Sequence, residues 1–451
     1  MIGPSPFSAA AAPVSVPPSF SRRRLLRLGA ALGTGLLAAA CGRRAPEAAR
    51  GALSLWTLDL APRFKAYLAG VIADWERLHP GHPVVWTDVP WSSVERKLLA
   101  AVFARTAPDL VNLNPPFAAN LASKGGLCDL TPLLPPDASA RYLPRIWQAG
   151  AQEGQQFAVP WYLTARVTLA NRRLLEQAGL EAPPQFWSEV PAYAEAVRRR
   201  TGRYGLFVTV VPDDSAELLE ALVQMGVTLL DAQRRAAFLS PAGLAAFRFW
   251  TELYRQGLLP REVVSQGYRR AIEMYQAGDL AQVASGPDFL RNLQTNAPAV
   301  ATDTRPYSPL TGADGAANVA VMNLVVPRRS PRAAEAVALA LLLTDADHQL
   351  RFCREARVLP SSRQALAALD RELEGEQPAT TGERLVRDAR RLSLATLERA
   401  RVLVPPMAGI KRLQAILYTQ LQRAMLAQVS SEGALEQAAL DWNRYAAARW
   451  P

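Results

Sequence analysis

Past its first fifty residues the chain alternates short apolar runs with stretches whose apolar positions recur at helical spacing. Residues 52–57 read as a buried strand. Residues 64–78 then place Leu68, Val71, Ile72, Trp75 and Leu78 on one face of an amphipathic helix. Pro80-Gly81 turns the chain into a second strand over 82–89, and Ser92 or Ser93 stands where a helix over 94–105 needs its cap. Residues 108–113 form a third strand, short and apolar, closing on polar and proline residues. Strands and helices alternating at these lengths predict a parallel sheet with helices on both faces. Such α/β sheets bind ligands at the loops beyond the C-terminal ends of their strands.

The pattern shifts after Pro160 without a flexible linker. Residues 163–171 read as a β-type stretch that enters a helix over 172–178, stopped by Gly179. Pro183-Pro184 opens a helix near 188–201, residues 204–209 look like another strand, and helical signals follow over 215–226 and 241–257. A late apolar strand covers 319–327, an Ala/Leu-rich helix 331–344, and the stretch 361–450 is almost wholly helical. No repeat of 20–50 residues is present. The absence of a Pro/Ser-rich linker predicts two lobes that share chain crossings.

Composition narrows the chemistry. The 451 residues are 49% apolar and 20% charged, an ordinary globular balance that excludes a disordered or disulfide-dense chain. Three Cys (41, 128 and 353) and three His (79, 82 and 348) leave no zinc module and no histidine metal site, and no cofactor is expected. Cys128 and Cys353 are placed either as a disulfide or as buried free thiols. The formal charge is +11. Its basic pairs are dispersed, as in Arg234-Arg235 and Arg269-Arg270, without the clustered aromatics of a nucleic-acid groove.

The N-terminus has the layout of an export signal. Ser21-Arg22-Arg23-Arg24-Leu25-Leu26-Arg27 precedes an uncharged apolar run over 28–40, too short to span a bilayer, and resembles the twin-arginine type. Leu37-Ala38-Ala39-Ala40-Cys41-Gly42 resembles a lipobox, with Ala38 where Leu is usual and Cys41 as the lipid-modified first residue. Processing there removes four Arg and no acid, leaving 47 basic against 40 acidic residues, or +7. The expectation is export to the periplasm or cell envelope, with a lipid anchor on Cys41.

Several segments in order resemble the extracellular solute-binding proteins of ABC importers, the group that includes maltose-binding proteins. They include Leu55-Trp56-Thr57, the helix end Trp75 to Gly81, Val89-Pro90-Trp91, Ala107-Pro108-Asp109-Leu110-Val111 and Gly125 to Thr131. Phe157-Ala158-Val159-Pro160, Leu169 to Arg172, Ala178-Gly179-Leu180, Pro183 to Glu189, Tyr275 to Ala281 and Ser285-Gly286-Pro287 complete the set. The resemblance runs from about Leu53 to Tyr445. Two departures lie near the expected cleft: Asp288-Phe289 where Trp often follows Gly-Pro, and Val321-Met322 where a paired Gly is usual. A particular sugar such as maltose therefore does not carry over.

The resemblance implies a two-lobed periplasmic-binding-protein type II fold, each lobe a mainly parallel sheet flanked by helices. The implied divisions are signal 1–40, tether 41–51, an N-terminal lobe from 52–162 and 320–357, and a C-terminal lobe from 163–319 and 358–451. Crossings are expected near 161–164, 319–321 and Leu359. Ligand binds between lobes that close about a hinge. A sugar suits this, because hydroxyls need directional partners and its C–H faces rest on aromatic rings. The implied partners are a small solute, the permease subunits and the membrane through the lipid, with the protein a monomer.

Strand-end residues supply the binding candidates. Asp59 can accept from hydroxyls or cap a turn; Asn112 and Asn114 can bind ligand or form an Asx turn before Pro115. Trp161 and Tyr162 are stacking candidates, with hinge packing as the alternative. Asp288 and Phe289 occupy the position of the family's ligand loop, and Tyr307 and Asn323 complete the set. Trp56, Trp75, Trp187 and Trp250 read as packing. An exported carbohydrate-active enzyme is the rival class, but no Gly-x-Ser-x-Gly, phosphate loop or His-Glu-x-x-His is present. A second rival binds a non-sugar solute such as glycerol phosphate, a polyamine or a peptide, with Arg166 as the group to pair with a phosphate.

Overall fold

The computed structural model describes residues 51–450, apart from Glu153, Asp213, Pro405 and Pro406. The expected signal, Cys41 and nearly all of the tether lie outside the described residues. No helix among them is long and apolar enough to cross a membrane.

The described residues form twelve strands: β1 (Leu53–Leu58), β2 (Val84–Val89), β3 (Leu110–Leu113), β4 (Ala151–Gln152), β5 (Gln155–Gln156), β6 (Ala158–Ala165), β7 (Val167–Asn171), β8 (Gln282–Ser285), β9 (Thr304–Tyr307), β10 (Ala317–Val325), β11 (Leu359–Pro360) and β12 (Ala400–Arg401). The first lobe is built on a sheet of order β11-β6-β10-β3-β1-β2, with β12 joined to β10. β1 runs parallel to β2 and β3, whereas β10 runs antiparallel to both β3 and β6. The second lobe has a small antiparallel sheet, β8-β7-β9. The fold is thus α/β as expected, but mixed in the first lobe and antiparallel in the second. Connectivity explains the mixture. β6 leads the chain out of the first lobe and β10 leads it back, so neighbours in that role must point in opposite directions.

Local signals in the sequence account for the element ends. Asn114 and Asn171 accept at their side-chain oxygens from the N–H groups of Phe117 and Leu174, satisfying helix N-termini that would otherwise carry unpaired donors. Gly179, with φ of 71°, closes the helix Arg172–Ala178 in the left-handed region. Ser93 occupies the cap position of the helix Val94–Ala104 without capping it; its hydroxyl donates to the Pro90 carbonyl instead. Residues 204–209 are not a strand. Their ladder pairing is limited to the Tyr204–Leu280 bridge and its adjoining bonds, and Val210 turns to bond Val263.

Each lobe has its own core. On one face of the first sheet, Leu53, Leu55, Trp75, Trp161, Phe352 and Cys353 pack together; on the other are Leu58, Val111, Leu113, Phe117 and Val325. The second lobe is centred on Trp187, Phe247, Trp250, Tyr275, Tyr418 and Trp442. A smaller cluster, including Leu163, Ala165, Val319, Val321 and Leu359, fills the crossing region. Leu369 and Leu373 of the helix Arg363–Gly375 belong to that cluster, while Leu385 of the following helix, Thr381–Thr396, packs in the second lobe. Leu394 of that same helix packs back against the crossing cluster. Cys128 and Cys353 are both free thiols, and burial pushes the Cys353 thiol up.

Candidate functional site

A single residue, Arg166, separates β6 from β7 at the first crossing. Its guanidinium lies 3.7 Å from Glu220 and 3.9 Å from Glu217, with the Tyr268 ring centred 5.8 Å away. The two carboxylates arrive together because the helix Glu217–Gln224 buries Leu218, Leu219, Ala221 and Leu222. Spacings of three and seven then leave Glu217, Glu220 and Gln224 on its other face. Glu220 also accepts from Asn318 Nδ2 at 2.7 Å, and Asn318 Oδ1 accepts from the Leu403 N–H at 3.1 Å. Gln224 accepts from Trp187 Nε1 at 2.8 Å and donates to the Ala316 carbonyl at 2.9 Å. One network thus links both inter-lobe strands to the second lobe.

Thr164, Arg166, Glu217, Glu220 and Asn318 line a cavity of 140 Å³ at this crossing. Trp187 and Gln224 border both it and a larger cavity of 1240 Å³. The larger space runs past Phe186, Met225 and Met407 of the second lobe and reaches Ser123 and Gln152 of the first. Burial pushes the Glu217 carboxyl up to about 7; Arg166 opposes that rise, while Glu220 and Asp214 add to it. Burial works against the Arg166 charge, but Glu220 and Glu217 outweigh it and hold the guanidinium above its usual range. The small cavity offers fixed donors and acceptors, and the large one mostly apolar walls.

The residues expected from the sequence divide into three groups. Trp161 is 0% exposed, stacked on Phe352 at 5.1 Å and edge-on to Tyr162 at 5.3 Å. Tyr162 and Phe289 are also core residues, 8% and 9% exposed. A stacking platform must present a ring face to the ligand, and these three rings present theirs to their own lobes. Asn112 and Asn323 are buried within adjoining strands, where Asn112 Nδ2 donates to the Asn323 carbonyl at 3.2 Å. Neither reaches the surface as a ligand contact would require. Asn114 spends its oxygen on the helix cap, and half-buried Tyr307 packs beside Ala170 and Tyr193 of the second lobe. Asp59 and Asp288 stay accessible.

Asp59 ends β1 in the left-handed region, φ 50°, and its Oδ2 accepts from the Trp91 N–H at 2.7 Å. Asp tolerates that conformation better than most residues, but such strain gathers where a loop has a task. Trp91 itself is 40% exposed. Four residues on, Glu95 accepts from Lys411 Nζ at 2.6 Å, joining the first lobe to the start of the helix Ile410–Met425. A second ion pair, Arg63 with Asp288 at 3.3 Å, joins the lobes elsewhere. Trp91 thus precedes by four residues the Glu95–Lys411 pair that joins the lobes. Its exposure could not be seen in the sequence, whereas the Glu217/Glu220 spacing on an apolar helix could. Trp187, read as packing, is 7% exposed and also lines both cavities.

Residues 59–350 match the family described as bacterial extracellular solute-binding protein. A crystal structure named "putative oligosaccharide periplasmic-binding protein" from Synechococcus sp. MITs9220 is 66% identical, with a TM-score of 0.85 over 88% of this chain and 100% of its own. The same protein in complex with zinc superposes with a TM-score of 0.84. In this chain no group of three or more His, Cys, Asp or Glu among the described residues is placed to hold a metal ion. The cyclic alpha-maltosyl-1,6-maltose binding protein from Arthrobacter globiformis shares the fold at 20% identity, with a TM-score of 0.72 over 88% and 98% of the two chains. An arabinooligosaccharide-binding protein of Halalkalibacterium halodurans is 23% identical over 224 residues, 48% of each chain.

Proposed function

The chain belongs to the bacterial extracellular solute-binding protein family, and from that premise we propose that it captures a sugar, most simply an oligosaccharide, between its lobes and hands it to an ABC permease. The observation that carries this reading is a pair of cavities walled in common by Trp187 and Gln224, one holding the Arg166–Glu217–Glu220–Asn318 network and the other reaching Ser123 and Gln152 of the first lobe. Hydroxyls demand directional partners, which the network supplies at fixed positions. The apolar walls and the exposed faces of Phe186 and Trp91 suit the C–H faces of sugar rings. At 1240 Å³ the larger cavity accommodates more than one sugar unit. The named ligands of the related proteins, an oligosaccharide among them, point the same way.

In this reading Asp59, Thr164, Arg166, Glu217 and Trp91 contact the solute, and lobe closure follows because only the closed form presents both sets at once. Arg166 is a poor receptor for a phosphate here, since two carboxylates already face it. We read the protein as a carrier and not an enzyme, exported and held to the membrane by a lipid on Cys41. A melting screen with mono-, di- and oligosaccharides and polyols tests the central claim. At least one carbohydrate should raise the midpoint, and none should be consumed over many turnovers. A response confined to amines or peptides, or multiple turnovers of a glycoside, would overturn it. Palmitate labelling lost in Cys41→Ser tests the anchor.

A further inference from the structure

Away from the Arg166 network, the lobes meet at a second charged junction whose balance is strongly positive. The first lobe contributes Arg63, just before the helix Lys65–Leu78, and Arg357, which caps the C-terminus of the helix Ala346–Ala356. The second lobe contributes Arg291 from the helix Phe289–Asn296 and Arg390 from the helix Thr381–Thr396. Arg63 donates to both Asp288 oxygens, at 3.3 and 3.4 Å, and to the Glu355 carbonyl at 2.6 Å. Arg390 has Glu376 at 3.8 Å. Glu372 is held by Arg354, through Nε at 2.9 Å and through Nη2. Four guanidinium groups are thus set against two available carboxylates, Asp288 and Glu376.

Two of those arginines carry donors that the described protein does not use. Arg390 is 7% exposed, yet its Nε and one Nη have no hydrogen-bond partner among the described residues. The buried Nε of Arg357 has none either. Buried guanidinium donors without acceptors are costly, and native structures keep them for a reason. Arg357 also adopts φ of 58° at a helix C-cap, where Gly or Asn is the usual choice. Burial, with Arg291, Arg390 and Arg63 nearby, holds the Arg357 guanidinium below its usual range; Asp288 offsets only part of this.

We propose that this junction is an oxyanion site, taking a tetrahedral group of the phosphate or sulfate type between Arg63 and Arg357 of one lobe and Arg291 and Arg390 of the other. Two unbalanced positive charges match a divalent anion, and guanidinium forks fit tetrahedral oxygens two at a time. The anion favours closure, since the arginines of the two lobes repel one another across the junction without it. The group has two sources, a free ion or a phosphoryl carried by the solute, and both offer the same oxygens.

Titration of sodium phosphate and sodium sulfate into the protein at fixed ionic strength, by calorimetry and by melting, tests the site. Low-millimolar phosphate should raise the melting midpoint by about 2 °C or more, where sodium chloride of equal ionic strength does not. Arg291→Gln, an exposed position that leaves the cores intact, should weaken the anion at least fivefold. Arg357→Gln should do the same, and Arg390→Gln should abolish binding if it folds. Glucose 6-phosphate against glucose separates the sources. A tighter ester that loses affinity in the same variants places the phosphoryl on the solute; equal affinity for ester and free phosphate places it as an ion, and both support the site. Phosphate acting no better than chloride, with an ester indifferent to Arg291→Gln and Arg357→Gln, overturns it. So does phosphate binding unchanged in those two variants. Sugar affinity measured in parallel reports on the Arg166 cavity, so failure of one site does not imply failure of the other.

Discussion

Two tryptophans with opposite environments give the sharpest test of where the cleft lies. Trp161 has no exposed surface and stacks on Phe352 at 5.1 Å, inside the packed first-lobe core. Replacing a fully buried Trp by Ala costs about 3–5 kcal/mol, the transfer term plus the cavity left behind. Trp91 is 40% exposed, and its one recorded hydrogen bond, to Asp59, uses the main-chain N–H that Ala keeps. Trp91→Ala should therefore change stability by no more than about 0.5 kcal/mol. It should nevertheless weaken the best sugar of the screen about tenfold, which is roughly 1.4 kcal/mol of lost contact. Urea unfolding followed by circular dichroism measures the first effect, and calorimetric titration the second. Because two lobes need not unfold together, the denaturation is compared as a transition of the first lobe and not as one global midpoint. If Trp161→Ala kept its stability and lost only sugar binding, the placement of that ring in the core would be wrong. If Trp91→Ala bound sugar like the parent, the proposed solute contact at that ring would fail.

Three further outcomes follow from the geometry. The Glu217 carboxyl, held at about 7 against an ordinary 4.5, makes the folded state take up its proton more readily than the unfolded chain. Its contribution to stability is therefore full below pH 4.5 and declines as pH rises through 7; Glu217→Gln should flatten that decline in melting midpoints from pH 5 to 8, and parallel profiles would refute it. Asn114→Ala removes the side-chain acceptor at 2.9 Å from the Phe117 N–H and should cost about 1 kcal/mol in chemical denaturation, with sugar affinity unchanged. Lys411→Ala breaks the pair with Glu95, but both side chains are more than one-third exposed, so the sugar affinity should fall by only about 0–1 kcal/mol and the difference should shrink in high salt.

The fold was legible wherever one local rule decided the matter. Gly179 after an apolar helix, Asn171 before it and the alternation over residues 53–113 each name their structure with little competition from tertiary context. The direction of β10 was not legible, because an apolar strand reads the same in either sense and only its role as a return crossing fixes its orientation. Residues 204–209 failed for a related reason. Their apolar character reports burial, and the chain buries them beside β8 without completing a ladder.

The binding residues were harder to read because an aromatic at a strand end has two stable destinations. In β6 the side chains alternate between faces, yet the sheet is covered on both, so Trp161, Tyr162 and Leu163 are all buried. Alternation carries no information about a cleft when neither face meets solvent. On β6 exposure begins near the end of the ladder, at Thr164, and continues at Arg166 of the crossing. The charged residues Glu217 and Glu220 follow the same logic from the other lobe. A helix that buries four of its eight residues does not place two carboxylates toward its lobe's own sheet without a partner, and Arg166, half-exposed between the lobes, is that partner. On the proposed function the crossing segment is both the hinge and the polar floor of the cleft, so that a guest bound there changes the free energy of closure directly and needs no relay through either core.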